Sequence, residues 1–424
     1  MALAAIFHII SSYDTLLSLL EAKHRLLESS PTRVMPSPTT FTSPFGLAAD
    51  NHPAPPDCHA VIIPKRGSLS RSSTSSDVSH ASVTSAATLV GEHIKHCEEV
   101  CLECGTFVSA LPAVNKPDDL VSPGRDIALK PLVGKLKERL RSQLEGRPEP
   151  KLVGLLATDD AGCQAYASAT AKTCASSGIE FETRQVEHDY EAVRRAIMSL
   201  NEDASVAGLL VYFPIFGPDI DNHLRGLISA RIDVEGVHPD NLARSSRDPP
   251  SLMDEPSLAV HPCTSLAVVR ILQDQGLYDL SASPGGRLRG KVATVVNRSE
   301  TVGKPLALML ANEGATVFSV DIHGVQVFER HAGTLCIRTI LSPDAAQDYC
   351  FGVADVIVSA VPSARYKVPT AAIKPGTVCI NVAMDDNFEA DVKRRAGLYA
   401  RRVGSVTTMM LQMNAVSLQG RSEA

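Results

Sequence analysis

No run of apolar residues in the chain reaches the roughly twenty that a membrane-spanning helix needs, so the sequence carries no membrane segment by this measure. An excess of positive charge is missing too. Lys and Arg number 41 against 47 Asp and Glu, a net charge of −6, which argues against a nucleic-acid surface. There is no regular cysteine framework. The ten cysteines are scattered, and Cys174 and Cys379 lie inside apolar stretches, as buried reduced thiols do. The `CEEVCLEC` cluster offers Cys97, Cys101 and Cys104 with His93 and His96 nearby. It lacks a matched second pair, and we expect no metal site.

The N-terminal thirty residues have apolar positions at helical spacing, but they include Asp14, Glu21 and Glu28. Transit peptides are acid-poor, and signal peptides begin with basic residues. We therefore expect a cytoplasmic protein, with a mitochondrial one as the lesser alternative. From about Ser29 to Ser85 the chain is dominated by Ser, Thr and Pro, with too few apolar side chains to offset the entropy of ordering. Residues 1–115 are expected to form a largely disordered extension. Deleting the chain up to about Ser109 should leave a folded protein with its activity intact. Loss of soluble expression in that truncation would show the extension to be structural.

Beyond Gly124 the pattern changes. Leu132, Leu136, Leu140 and Leu144 form one stripe of an amphipathic helix, with Pro131 suited to its first turn. Short apolar runs (`KLVGLLA`, `IEFETRQV`, `VAGLLVYFP`) then alternate with helix-like `CQAYASATAKTCASSG` and `YEAVRRAIMSLN`. A second alternating series follows `HPCTSLAVVRILQDQG`, with strands expected at Val292–Val296, Ala315–Val320, Asp355–Val361 and Thr377–Val382. Such alternation implies parallel βαβ units and an α/β fold. The divisions expected are a first α/β domain over 116–265 and a Rossmann-like parallel-sheet domain over 266–404. A C-terminal helix over 405–420 should pack back on the first.

The segment `VATVVNRSETVGKPLALMLANEGATVFSVD`, Val292 to Asp321, reads as a nucleotide loop. Gly303 permits close backbone approach, Ser299 supplies a hydroxyl donor, and Pro305 starts a helix. Only one of the fingerprint's three glycines is present. Asp321, however, closes the next strand about where the ribose-binding acid belongs. A carboxylate there accepts from both ribose hydroxyls and repels a 2′-phosphate, which favours NAD. Arg298 pulls the other way, unless it pairs with the pyrophosphate or with Asp321 itself.

This segment closely resembles the cofactor loop of the methylenetetrahydrofolate dehydrogenases, above all the fungal NAD-dependent monofunctional enzymes. The likeness runs on through `GLLVYFPIFG`, `IDVEGVHPDNL`, `PCT`, `VIVSAVPSARYKVP`, `IKPGTVCINVA` and `VTTMML`. It implies a folate-binding domain facing an NAD domain across a cleft, within a homodimer. The implied reaction moves a hydride from 5,10-methylenetetrahydrofolate to the nicotinamide, giving the 5,10-methenyl cation. The folate nitrogens stabilise that cation, so the protein mainly orients two rings.

The resemblance also assigns roles. Tyr166, Tyr212, Pro214, Glu235 and Pro262 fall at folate-binding positions. Asn297, Arg298, Ser299, Val302, Gly303, Asp321, Ala360, Val361 and Asn381 fall at cofactor positions. Bifunctional members carry a lysine four residues after the tyrosine, which hydrolyses the methenyl ring. Here Thr170 stands in that place, so the catalytic set reads Tyr166, Thr170 and Tyr212. Lys172 lies roughly 120° from Tyr166 around a helix, whereas Thr170 lies roughly 40° away. Tyr212 replaces the glutamine that assists the lysine, and Glu235 replaces an aspartate that anchors the pterin. The changes together imply a dehydrogenase without cyclohydrolase activity. Two alternatives stay open: a bifunctional NADP-dependent enzyme, and a nucleotide-binding regulatory protein with a decayed folate site.

Overall fold

The computed structural model describes residues 60–61, 122–246, 250, 259–331, 334–340 and 343–422. The Cys97–Cys104 cluster and all but two residues of the expected extension lie outside this set. Those two, Ala60–Val61 (β1), begin the apolar run `AVII` and pair in parallel with Arg338 and Thr339.

The chain then forms β2 (Arg125–Asp126), α1 (Leu129–Leu144), β3 (Lys151–Leu156), α2 (Ala161–Ala175), β4 (Glu180–Gln185), α3 (Tyr190–Glu202) and β5 (Gly208–Val211). Strands β4, β3 and β5 make a three-stranded parallel sheet. Leu132, Leu136 and Leu140 of α1 are fully buried, as their fourfold spacing demands. Helices α2 and α3 start on aspartates. Asp160 accepts from the Cys163 N–H and Asp189 from the Ala192 N–H, both at 2.8 Å, satisfying first-turn donors.

Short helices α4 (Pro218–Gly226) and α5 (Pro239–Ser245) lead to α6 (Cys263–Asp274), which is buried along nearly its whole length. The second sheet contains β6 (Val292–Val296), β7 (Thr316–Asp321), β8 (Gly324–His331), β9 (Thr334–Ile340), β10 (Val356–Ser359), β11 (Val378–Asn381) and β12 (Leu398–Ala400). Its order is β1-β9-β8-β7-β6-β10-β11-β12-β2. Helix α7 (Gly303–Asn312) follows β6, and α8 (Pro343–Val353) precedes β10. The four expected strands of this series appear within one to two residues of their expected ends. Buried residues line both faces of the sheet, as a mostly parallel sheet requires.

The β8–β9 hairpin was not expected. Its first strand, β8, runs antiparallel to β7 and takes the position where a further parallel strand would lie. Val325 and Val327 alternate inward along β8. Strand β2, from the region expected to form the first domain, instead extends the second sheet beside β12. Helix α9 (Gly404–Ser422) packs against α1 and α6. Among the described residues, no helix is long and apolar enough to cross a membrane.

Candidate active site

Strand order reverses between β6 and β10, the point at which open α/β sheets carry their ligand crevice beyond the C-terminal strand ends. Asn297 leaves β6 with φ of 80°, a left-handed conformation that asparagine tolerates. Its N–H donates to the Val320 carbonyl, and its side-chain amide donates to the Ala360 carbonyl at 2.7 Å. The loop then doubles back so tightly that a Cβ on Gly303 would sit 1.8 Å from the Asn297 carbonyl oxygen. Only glycine fits this position. The Ser299 hydroxyl, expected as a donor to ligand, accepts from the Gly303 N–H at 3.3 Å and caps the first turn of α7. Val302 precedes that helix as its N-cap residue.

Asp321 ends β7 and faces Gly324 across a two-residue turn. Its Oδ2 accepts from the Arg298 backbone N–H at 2.8 Å. The Arg298 guanidinium, for which pyrophosphate or Asp321 seemed the natural partners, turns to the strand end instead. Its Nε donates to the Ser319 hydroxyl at 3.0 Å, and Nη2 donates to the Ser319 and Gly324 carbonyls at 2.6 and 2.8 Å. Burial lowers its pKa and nearby Asp321 opposes that shift. Arg298 thus braces the turn that presents Asp321.

Across the crevice, Asn387 accepts from the Ser359 hydroxyl at 3.0 Å and from the Val361 N–H at 2.9 Å. Asn381 is fully buried. Its amide donates to the carbonyls of Ala383, Asp385 and Arg401, and its oxygen accepts from the Asn387 N–H. The side chain of Asn381 therefore acts on the loop that carries Asn387. The donor set suits a dinucleotide with a free ribose. Asp321 ends β7, where dinucleotide-binding folds carry their ribose-binding acid, and the helix N-terminus after Gly303 is suited to phosphates.

On the other side of the molecule's cleft-forming segments, Tyr166 and Tyr212 meet edge to face with ring centroids 5.7 Å apart. The Thr170 hydroxyl donates back to the Tyr166 carbonyl at 2.9 Å, and Thr170 is buried. Lys172 is exposed on another face of α2. Tyr212 is fully buried, with the Thr170 side chain beside its hydroxyl. Burial raises the pKa of both phenols. For Tyr166 the neighbouring Cys263, Glu235 and Tyr212 add to the effect, and the Thr408 hydroxyl partly offsets it. Pro214 follows Tyr212 by two residues, half-buried, across a cis Phe213–Pro214 bond.

Glu235 is 8% exposed and makes no side-chain hydrogen bond or ion pair with another described residue. Burial pushes its pKa up to about 7; Arg225 draws it down and Asp233 pushes it further up. Asp233, two residues earlier, accepts from the Gly236 and His238 N–H groups and from the Asn241 amide, and so shapes the loop. A Cβ on Gly236 would meet the His261 backbone at 2.4 Å, so this loop lies directly on His261 and Pro262. Asn414 of α9 donates to the Val234 and His261 carbonyls at 2.9 and 2.8 Å, stitching the two segments together. Asn387, Thr408, Asn414 and Asp233 escaped the sequence reading. Asp233 alone had a local signal, an acid beside a Gly-containing turn.

The family described as "Tetrahydrofolate dehydrogenase/cyclohydrolase, catalytic domain" matches residues 126–235, and its "NAD(P)-binding domain" matches residues 262–422. The chain belongs to the tetrahydrofolate dehydrogenase/cyclohydrolase family. It is 40% identical over 276 residues to a methylenetetrahydrofolate dehydrogenase (NAD+) of Schizosaccharomyces pombe, covering 63% of this chain and 84% of the relative. Over 315 residues it is 39% identical to the Saccharomyces cerevisiae enzyme of the same name, covering 70% and 96%. The solved structure of the NAD-dependent 5,10-methylenetetrahydrofolate dehydrogenase from Saccharomyces cerevisiae superposes with a TM-score of 0.66. It is 37% identical and covers 71% of this chain and 99% of that one. The three side chains at which the resemblance implied a departure from the bifunctional pattern, Thr170, Tyr212 and Glu235, lie in one neighbourhood. The Thr170 side chain neighbours the Tyr212 hydroxyl, Tyr212 packs on Tyr166, and the field of Glu235 reaches both tyrosines.

Proposed function

We propose that this protein oxidises 5,10-methylenetetrahydrofolate to 5,10-methenyltetrahydrofolate with NAD as hydride acceptor, and that it does not hydrolyse the product. The observation that carries the second half is the Tyr166 face of α2. Hydrolysis needs a cation and proton carrier there, and the position holds a buried threonine whose proton is already given to the Tyr166 carbonyl. Asp321, the similarity to NAD-dependent relatives and the commitment of Arg298 to the β7–β8 turn support NAD over its phosphorylated counterpart.

NAD bound beside the Asn297–Gly303 loop would supply the hydride acceptor. The protein's part is placement. Glu235 presents a carboxylate to the donor edge of the pterin, and Tyr166 and Tyr212 wall the ring and exclude water. The Asn297–Ala360 bond fixes the loop beside the cofactor, and the Asp321 carboxylate accepts from the adenosine ribose hydroxyls. No general base is required, because removal of hydride leaves a cation delocalised over two folate nitrogens. We further propose a cytoplasmic homodimer, following the expectations above.

Methenyl absorbance tests the reading. Purified protein should form the methenyl product with NAD far faster than with NADP, and once NAD is spent the product should decay only at the buffer rate. Decay proportional to protein concentration would overturn the monofunctional reading and favour the bifunctional one.

A further inference from the structure

Helix α6 begins on the pterin side. The Cys263 N–H in its first turn donates to the Glu235 carbonyl at 3.0 Å, and Pro262 precedes it under the Glu235–Gly236 loop. Two residues further on, Ser265 is fully buried, and its hydroxyl donates to the carbonyl of Val302 at 2.9 Å. Val302 closes the Asn297–Gly303 loop. The same carbonyl also accepts the Leu306 N–H at 3.0 Å, a helical bond that satisfies it without Ser265. The serine is therefore not required to keep a buried carbonyl paired. Its bond has a different consequence: three residues of one helix turn connect the loop carrying Glu235 with the loop carrying Asn297.

We propose that Ser265 is a positioning residue that ties the cofactor loop to the pterin-binding segment and so sets the gap between the two rings. The inference rests on the dehydrogenase reading above. Donor and acceptor carbons must stand about 3–3.5 Å apart for hydride transfer, and a small misplacement lowers the rate steeply. The loop is already held on its far side by the Asn297 bonds to Val320 and Ala360. Ser265 holds its Val302 end. A clamp between two loops also links their ligands: folate that orders the Glu235 segment pre-orders the cofactor loop, and by reciprocity NAD tightens folate binding.

The test compares wild type with Ser265→Ala and Ser265→Cys in the full chain. Cysteine fills the serine's volume but donates weakly, which separates the hydrogen bond from packing. Calorimetry with NAD, alone and with tetrahydrofolate present as an unreactive folate, gives the linkage. Wild type should bind NAD several-fold tighter with tetrahydrofolate, and both variants should lose most of that gain while binding NAD alone nearly as before. In turnover at saturating NAD both should lose about tenfold in kcat and show a folate KM raised several-fold, as the lost linkage requires, and the isotope effect with deuterated methylene substrate should rise. If Ser265→Cys matches wild type, or if both variants lower only the melting temperature, the clamp is wrong. Lack of NAD-dependent turnover in wild type would overturn the functional reading instead, while the binding linkage would still decide the clamp.

Discussion

Replacing Asp321 with serine is expected to lower the preference for NAD by on the order of 1–3 kcal/mol, about five- to one-hundred-and-fiftyfold in the ratio of kcat/KM values. The carboxylate has two tasks. One oxygen accepts from the Arg298 N–H, and on the proposed reading the group also receives the ribose hydroxyls. Serine removes the charged acceptor and the repulsion toward a 2′-phosphate, and frees the Arg298 N–H to meet one. The gain for NADP should be smaller than the loss for NAD. The Arg298 guanidinium is held by Ser319 and Gly324 and would have to leave a half-buried position to embrace a phosphate. Kinetics of both proteins with each nicotinamide check this. A wild type that prefers NADP, or a variant whose preference is unchanged, would remove Asp321 from its assigned role.

That argument draws on both what the sequence discloses and what it hides. Local signals carried well. The leucines of α1 spaced by four, the strand–helix alternation and the `NRSETVGKP` loop ending on a required glycine were all legible, because each depends on neighbours within a few residues. Asp321 could be placed because strand β7 ends on it. The contacts of Arg298 could not, since they depend on a two-residue turn that brings Gly324 beside it. The β8–β9 hairpin was missed for a related reason: its strands lack a tight Asn-Gly or Asp-Gly turn, and its alternation is broken by charged residues. Asn387 and Asn414 hold the two halves of the site across separations of 26 and 153 residues from their partners. No single-sequence pattern reports such a meeting.

The folate side illustrates how burial alters chemistry without adding a residue type. Two phenols, a threonine and a carboxyl converge where the proposed reading has no lysine to carry a proton. With no cation in that set, each ionisable group is displaced toward its neutral form by burial. A neutral, poorly solvated wall is compatible with a product cation that is to be released intact, since water activated there would consume it.

Glu235 offers the sharpest test of this picture. Its pKa is pushed up from 4.5 to about 7 by burial. Because the folded chain holds this proton where the unfolded chain releases it, stability falls as pH rises from about 4.5 to about 7. Below that window there is no penalty, and above it the penalty is full, on the order of 3 kcal/mol. Glu235→Gln should therefore be more stable than wild type at pH 8 and no more stable at pH 4. Function should move the opposite way. The pterin edge presents N–H donors that the ionised carboxylate accepts in pairs, and glutamine offers one acceptor and two unwanted donors. The variant should lose about 2–3 kcal/mol in kcat/KM, roughly thirty- to one-hundred-and-fiftyfold, mainly through KM. Wild-type KM should rise as pH falls below about 7, and that dependence should flatten in the variant. Thermal melts and folate titrations across pH 5–9 measure both halves. A variant that is destabilised at pH 8, or that keeps the wild-type pH profile for KM, would show that Glu235 is a packing residue and not the pterin's anchor.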